Sequence, residues 1–171
     1  AGVAAATLAA AGGASVALAV PAGAELGGMM AGGIGWDDVL GVEPPAMWRV
    51  YGAGSVYARF TAAVLEHYSA MSPTAANLSR WGTRHEPKVA RAVLSHMLRA
   101  ANVTVWTAVE LCEVHTDHDG RIATVALASA AAGRGARCGN VSAAVVLDAT
   151  YLGDLLAAAG APHRVGREGR H

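Results

Sequence analysis

Gly2 opens a run of small residues, GVAAATLAAA, at the very start of the chain. Helix N-termini bind phosphate because their first N–H groups lack partners and the helix dipole presents partial positive charge there. A glycine at that point lets a pyrophosphate come close to the backbone. Gly27, Gly28 and Met29 lie in a glycine-rich stretch, which reads either as backbone passing beside a ligand or as a flexible connection. Asp148-Ala149-Thr150 and Gly153-Asp154 follow an apolar run and precede a short Ala/Leu helix. Asp148 and Asp154 there suit either ligand contact or helix capping, the common use of Asp beside a helix start.

Other chemistry-bearing residues point less far. His67, His85, His96, His115, His118 and His163 show no HxxxH or HExxH spacing, so no metal site is expected. His115 and His118 flank a hairpin turn and read as solvated. Trp36, Trp48, Trp81 and Trp106 come with no basic stripe, so they read as packing residues rather than a base-stacking platform. Arg164, Arg167 and Arg170 form a basic tail, with contact to a phosphate as the sharper reading. No nucleophile–base pair and no acid–base carboxylate pair stands out, and no catalytic residue is assigned.

The elements that must position these residues follow from periodicity. Gly2–Ala11 reads as a helix broken by Gly12-Gly13, and Ser15–Val20 as a strand. Pro21–Gly35 is a glycine-rich loop, and Trp36–Pro45 is turn-like. Gly54–Tyr68 places Val56, Phe60, Val64 and Tyr68 on one face of an amphipathic helix. Ser69–His85 reads as a loop, with Pro73 and Asn77 as breakers. Glu86-Pro87 then begins a helix with proline at its first position, an apolar stripe of Val89, Val93 and Met97 with Ala90 and Leu94 beside it, and Arg99 near its end. Val103–Thr107 is a strand, and Val109–Thr116 and Ile122–Leu127 form a hairpin about Asp119-Gly120. Gly133–Gly135 is a second turn. Ser142–Leu147 is a buried strand, followed by DATYLGD and a helix ending at Gly160. The order predicts an α/β fold with an antiparallel appendage.

Composition narrows the class. The chain has 171 residues, about one domain, and 53% hydrophobic content argues for a packed core. Thirteen basic residues balance thirteen acidic ones, so no global field attracts nucleic acid. Lys88 is the only lysine among them. Cys112 and Cys138 lack CxxC spacing and are read as reduced thiols, with one bridge left open. The uncharged N-terminus, Ala1–Ala24, has the length of a membrane span or signal, but it is rich in Ala and Gly and broken at Gly12-Gly13. It also lacks a basic n-region and an initiator methionine; the latter suggests a partial or processed chain.

Taken in order, AGVAAATLAAAGG, LGGM, HEPKVARAVLSHMLRAANVTV, DHDGRI and VVLDATYLGDLLAAAGAPHRVGRE resemble an FAD-dependent oxidoreductase family whose members include relatives of the heterodisulfide reductase flavoprotein subunit. The blocks cover almost the whole chain. The resemblance implies a glutathione-reductase-type, Rossmann-like FAD-binding domain with a three-layer ββα arrangement. Gly2 would match the third glycine of GxGxxG, with the first strand lying before Ala1 and a substrate domain after Glu168. Gly27, Gly28 and Met29 would pass beside the FAD, Ala108 and Val109 would meet the adenine, and Ala149, Thr150, Gly153 and Asp154 would return the chain to the cofactor. The family's ribose-binding acidic residue falls at Val20, a departure from the pattern.

On this map residues 1–35 are the helix–strand and glycine loop, and 36–85 a helical insertion. Residues 86–107 are the second helix–strand, 108–141 the meander, and 142–171 a return strand, short helix and tail. The function expected is flavin-mediated redox chemistry on a small molecule with an unidentified electron partner, and with neither nucleic acid nor membrane involved. An inactive nucleotide-binding fragment and a secreted or membrane-anchored protein are the alternatives. Without the first strand, its two neighbours would present unpaired edges, and the isolated chain is expected to be marginal and to bind FAD weakly.

Overall fold

The computed structural model of the chain describes residues 1–34, 52, 54–133 and 136–166. They divide into two compact units, Ala1 with Val3–Thr107, and Gly2 with Ala108 onward. The turn-like stretch expected at Trp36–Pro45, Trp48, Arg167 and Arg170 lie outside the described residues.

The first unit begins with helix α1 (Gly2–Ala11) and strand β1 (Ala17–Pro21), as expected. Helix α2 (Val56–Met71) starts where Ser55 Oγ accepts the Ala58 N–H at 3.1 Å, a side-chain cap for an otherwise unpaired donor. Helix α3 (Pro73–Leu78) corrects the sequence reading, which made Ser69–His85 a loop with Pro73 as a breaker. Pro73 instead takes the first helical position, where a missing N–H costs nothing, and Ser72 caps Ala75 N–H at 3.0 Å. Helix α4 (Pro87–Ala100) starts at the expected proline and carries Arg99 in its last turn.

The core of this unit joins Val3 and Ala6 of α1, Ala31, Phe60 and Val64 of α2, Val89, Ala90, Leu94 and Leu98 of α4, and Val103. On α4 the buried stripe is therefore turned toward Ala90, Leu94 and Leu98, with Val93 and Met97 only partly buried. Of the stripe the sequence marks, Val89 is buried as expected, and Ala90 and Leu94 beside it are buried more fully than Val93 and Met97. Gly82 makes the closest backbone approach: a Cβ there would lie 1.9 Å from the Thr61 carbonyl oxygen of α2. With φ at +82°, only glycine fits without strain.

Strand β2 (Thr104–Thr116) is continuous where the sequence suggested two pieces, and Ala108 at the junction has φ +52°. Thr104 N–H donates to Val16 O at 3.0 Å. Strand β3 (Ile122–Ser129) returns antiparallel, pairing Val109 with Ser129 through Thr116 with Ile122, and β4 (Gly139–Val141) pairs antiparallel with β3. The sheet order is β1-β2-β3-β4, and the sheet is partly parallel. The α/β class is the one expected, with a four-stranded sheet consistent with a Rossmann-like FAD-binding fragment.

Two further readings change. Cys112 and Cys138 form a disulfide, so they are not reduced thiols. Cys112 sits in the register shift between Leu111 and Glu113, where β2 has one residue more than β3. Its side chain is thereby released from the ladder pattern that spacing alone would assign. Ser142–Leu147 is not a strand: Val145 is 73% and Leu147 64% exposed. An apolar, β-branched run forms a strand only against a partner, and this one has no ladder partner among the described residues. Helix α5 (Asp154–Ala158) follows. Among the described residues no helix is long and apolar enough to cross a membrane.

Candidate functional site

The Gly27-Gly28-Met29 segment leaves β1 through a loop that ends in a single 3-10 turn, Gly28–Met30. Gly27 (φ +98°) and Gly28 (φ +58°) both need the left-handed region, which glycine enters at little cost. A Cβ on Gly27 would lie 2.3 Å from Leu94 Cδ1 and 3.2 Å from Ala31 Cβ, so a side chain here would push the tip of Leu94 on α4 aside. Met29 stays 61% exposed, while Ala31 just beyond is 1% exposed. The loop thus presents one apolar side chain outward and is anchored immediately behind it.

The anchors come from a block of sequence about sixty residues away. Arg91 Nε pairs with Glu25 Oε2 at 3.0 Å, and Arg91 Nη2 donates to Ala31 O at 3.5 Å. His85 Nε2 lies 3.3 Å from Met30 O. Sequence reasoning passed over Glu25, His85, Arg91 and Leu94 as site residues. No local signal marks them, because the pairs form only once α4 packs against the loop.

At the start of α1 the cap residue is Ala1, no side chain caps the helix, and no acidic residue lies in its first turn. Gly2, Val3 and Ala4 therefore present N–H groups that cannot be satisfied within the helix. Val3 belongs to the same buried cluster as Ala31 and Leu94. Val20, at the position expected to carry an acidic residue, is 7% exposed and apolar, and Glu25 is committed to Arg91.

In the second unit Ala108 holds its left-handed φ and Val109 pairs with Ser129. A non-glycine residue at such a φ is uncommon and clusters at functional sites. The stretch Asp148–Asp154 is wired to itself. Asp148 Oδ1 accepts from Thr150 N–H at 2.9 Å and from the Thr150 hydroxyl at 2.7 Å, and Oδ2 accepts from Leu156 N–H at 2.9 Å. Thr150 Oγ1 in turn accepts from Gly153 N–H at 3.0 Å and Asp154 N–H at 2.9 Å. Asp148 is thus a helix cap. Partial burial raises its pKa, but the hydrogen bonds from Leu156, Thr150 and Leu155 outweigh that and hold the carboxyl below its ordinary value. Gly153 (φ +73°) is the cap residue of α5, and Asp154 lies in its first turn with no side-chain partner among the described residues. Ala149 is exposed.

His115 and His118 are solvated groups. His115 lies 3.5 Å from Glu113 and His118 lies 3.3 Å from Asp119, all exposed. Asp117, His118 and Asp119 bring ligand atoms within 4.8 Å. Asp117 Oδ1 is already used by the Asp119 and Arg121 N–H groups at 2.9 Å, so the cluster is the wiring of the hairpin turn.

A first turn of α1 without an acidic residue, two left-handed glycines and an outward methionine fit a dinucleotide cofactor with a pyrophosphate and a flat ring. A family model described as FAD dependent oxidoreductase matches residues 1–171. No curated protein and no solved structure matches the chain.

Proposed function

This chain belongs to the FAD dependent oxidoreductase family, and on that footing we propose that its own residues bind FAD to carry out redox chemistry on a small-molecule substrate. FAD is the cofactor the family implies. When bound, it supplies the electron-transfer chemistry, and the protein supplies binding, orientation and electrostatics. The Gly2 end of α1 offers its unpaired N–H groups to the pyrophosphate. Gly27, Gly28 and Met29 line the cofactor, with glycine allowing close approach and Met29 offering a polarizable contact to a ring. By the family resemblance, Ala108 and Val109 offer backbone to the adenine, and Ala149, Thr150, Gly153 and Asp154 contact the cofactor. Asp148 keeps that segment in shape rather than touching the ligand. Val20 stands where the family carries a ribose-binding carboxylate, so no side chain at that position hydrogen-bonds the ribose.

The observation that carries this reading is the pair of left-handed glycines, Gly27 and Gly28, set beside the exposed Met29 in a chain whose whole length matches the family model. Mixing the protein with FAD and desalting tests it. A retained flavin spectrum that bleaches on reduction is the expected result. Loss of all flavin on desalting, with no binding by fluorescence quenching, would sink the proposal. Retained flavin that resists reduction would leave a nucleotide-binding module without redox function.

A further inference from the structure

His85 is 6% exposed, immediately before α4. Its ring meets Phe60 of α2 edge-on, with centroids 5.3 Å apart and planes at 86°. Its Nε2 lies 3.3 Å from Met30 O, the carbonyl that ends the Gly28–Met30 turn. A carbonyl oxygen only accepts, so Nε2 carries the hydrogen. In the neutral ring Nδ1 is then a bare acceptor, and it has no partner among the described residues. A buried acceptor without a donor is costly. Packing on Phe60 does not require it, since a phenyl ring would make the same edge contact without an orphaned nitrogen. What histidine adds over phenylalanine is the Nε2–H reaching Met30.

We propose that His85 is a positioning residue for the flavin loop, fixing Gly28–Met30 from behind so that Met29 faces outward in one orientation. Arg91 secures the same loop through Glu25 and Ala31, at a half-exposed ion pair that is screened by solvent. His85 is the more deeply buried of the two anchors, at 6% exposure. The inference rests on the reading that Gly27, Gly28 and Met29 line the FAD.

The test compares His85→Phe, which keeps the ring and loses the donor, with His85→Gln, whose Nε2 amide returns a donor at the same reach. His85→Leu serves if Phe does not fold. Hydrogen–deuterium exchange follows the amides of Gly32 and Ile34, which donate to Gly28 O and Met29 O. FAD titration by fluorescence quenching follows the cofactor. In His85→Phe those two amides exchange faster while the α2 core amides keep wild-type protection. The Kd for FAD rises about fivefold to tenfold, the scale of one net hydrogen bond. His85→Gln recovers both readouts.

Unchanged loop exchange and unchanged Kd in His85→Phe overturn the inference, as does faster exchange spread evenly over the unit. Gly28→Val separates the two layers. If it weakens FAD binding and His85→Phe does not, the positioning role alone fails. If neither moves the Kd, or the wild type binds no FAD, the reading of the loop fails and the inference with it.

Discussion

Asp148 shows how one carboxylate can look like a ligand in the sequence and serve as a cap in the structure. Both its oxygens are used by N–H and O–H donors of Thr150 and Leu156. Replacing it by Asn removes the charge and one of the acceptors, and Asp148→Asn should lower stability by about 1 kcal/mol at neutral pH, the usual scale of a cap. Because the folded carboxyl titrates below its ordinary value, its contribution is present above the unfolded pKa and is lost as pH falls through the folded one. Thermal melts of wild type and Asp148→Asn should therefore differ at pH 7 and converge in the acid range below pH ~4. A constant difference across that range would show that the charge is not what the cap uses. The glycines, Met29 and the Asp148–Asp154 block were legible as local patterns. His85 and Arg91 were not, because their partners lie 55 and 60 residues away along the chain.

The elements differ in how far local chemistry determined them. Helix α4 follows from proline at its first position and a strong apolar stripe, and the β2–β3 hairpin from Asp119-Gly120; both were readable. Helix α3 was missed because a proline was taken as an end when Ser72 made it a beginning. The Ser142–Leu147 run has strand composition, but composition specifies no partner, and the ladder stops at Val141. Leu98, fully buried on α4, is where that helix is most sensitive: Leu98→Ala should cost about 2–5 kcal/mol, measured by denaturant unfolding. The second unit depends more on its staple. The Cys112–Cys138 bridge spans a separation of 26 residues, and closing a loop of that size restrains the unfolded chain by about 3.5 kcal/mol. Cys112→Ser with Cys138→Ser, or reductant at equilibrium, should lower the stability of the β2–β4 meander by up to that amount. Exchange rates at Val125 and Leu127, which face β4, would report it. No change on reduction would mean that the bridge does not restrain the unfolded chain as this estimate requires.

For the molecule as a whole, a ligand that binds only the folded state stabilises it by mass action. FAD at about 100 times its Kd should add about 2.7 kcal/mol, visible as a higher melting temperature that climbs with FAD concentration. A melt indifferent to FAD would count against the cofactor site in the folded chain. The overall class and cofactor were readable because several weak blocks recur in one order along the chain, whereas the contacts between blocks exist only after folding. Gly27 and Leu94 are one such contact, and it has a consequence for anyone recombining this protein. A side chain at 27 would need the tip of Leu94 to move and would sit at a left-handed φ of +98°. A loop transplanted from a relative with a larger residue at 27 should therefore be tolerated better when its own α4 travels with it. The two segments, far apart in the sequence, are best exchanged as a single cassette.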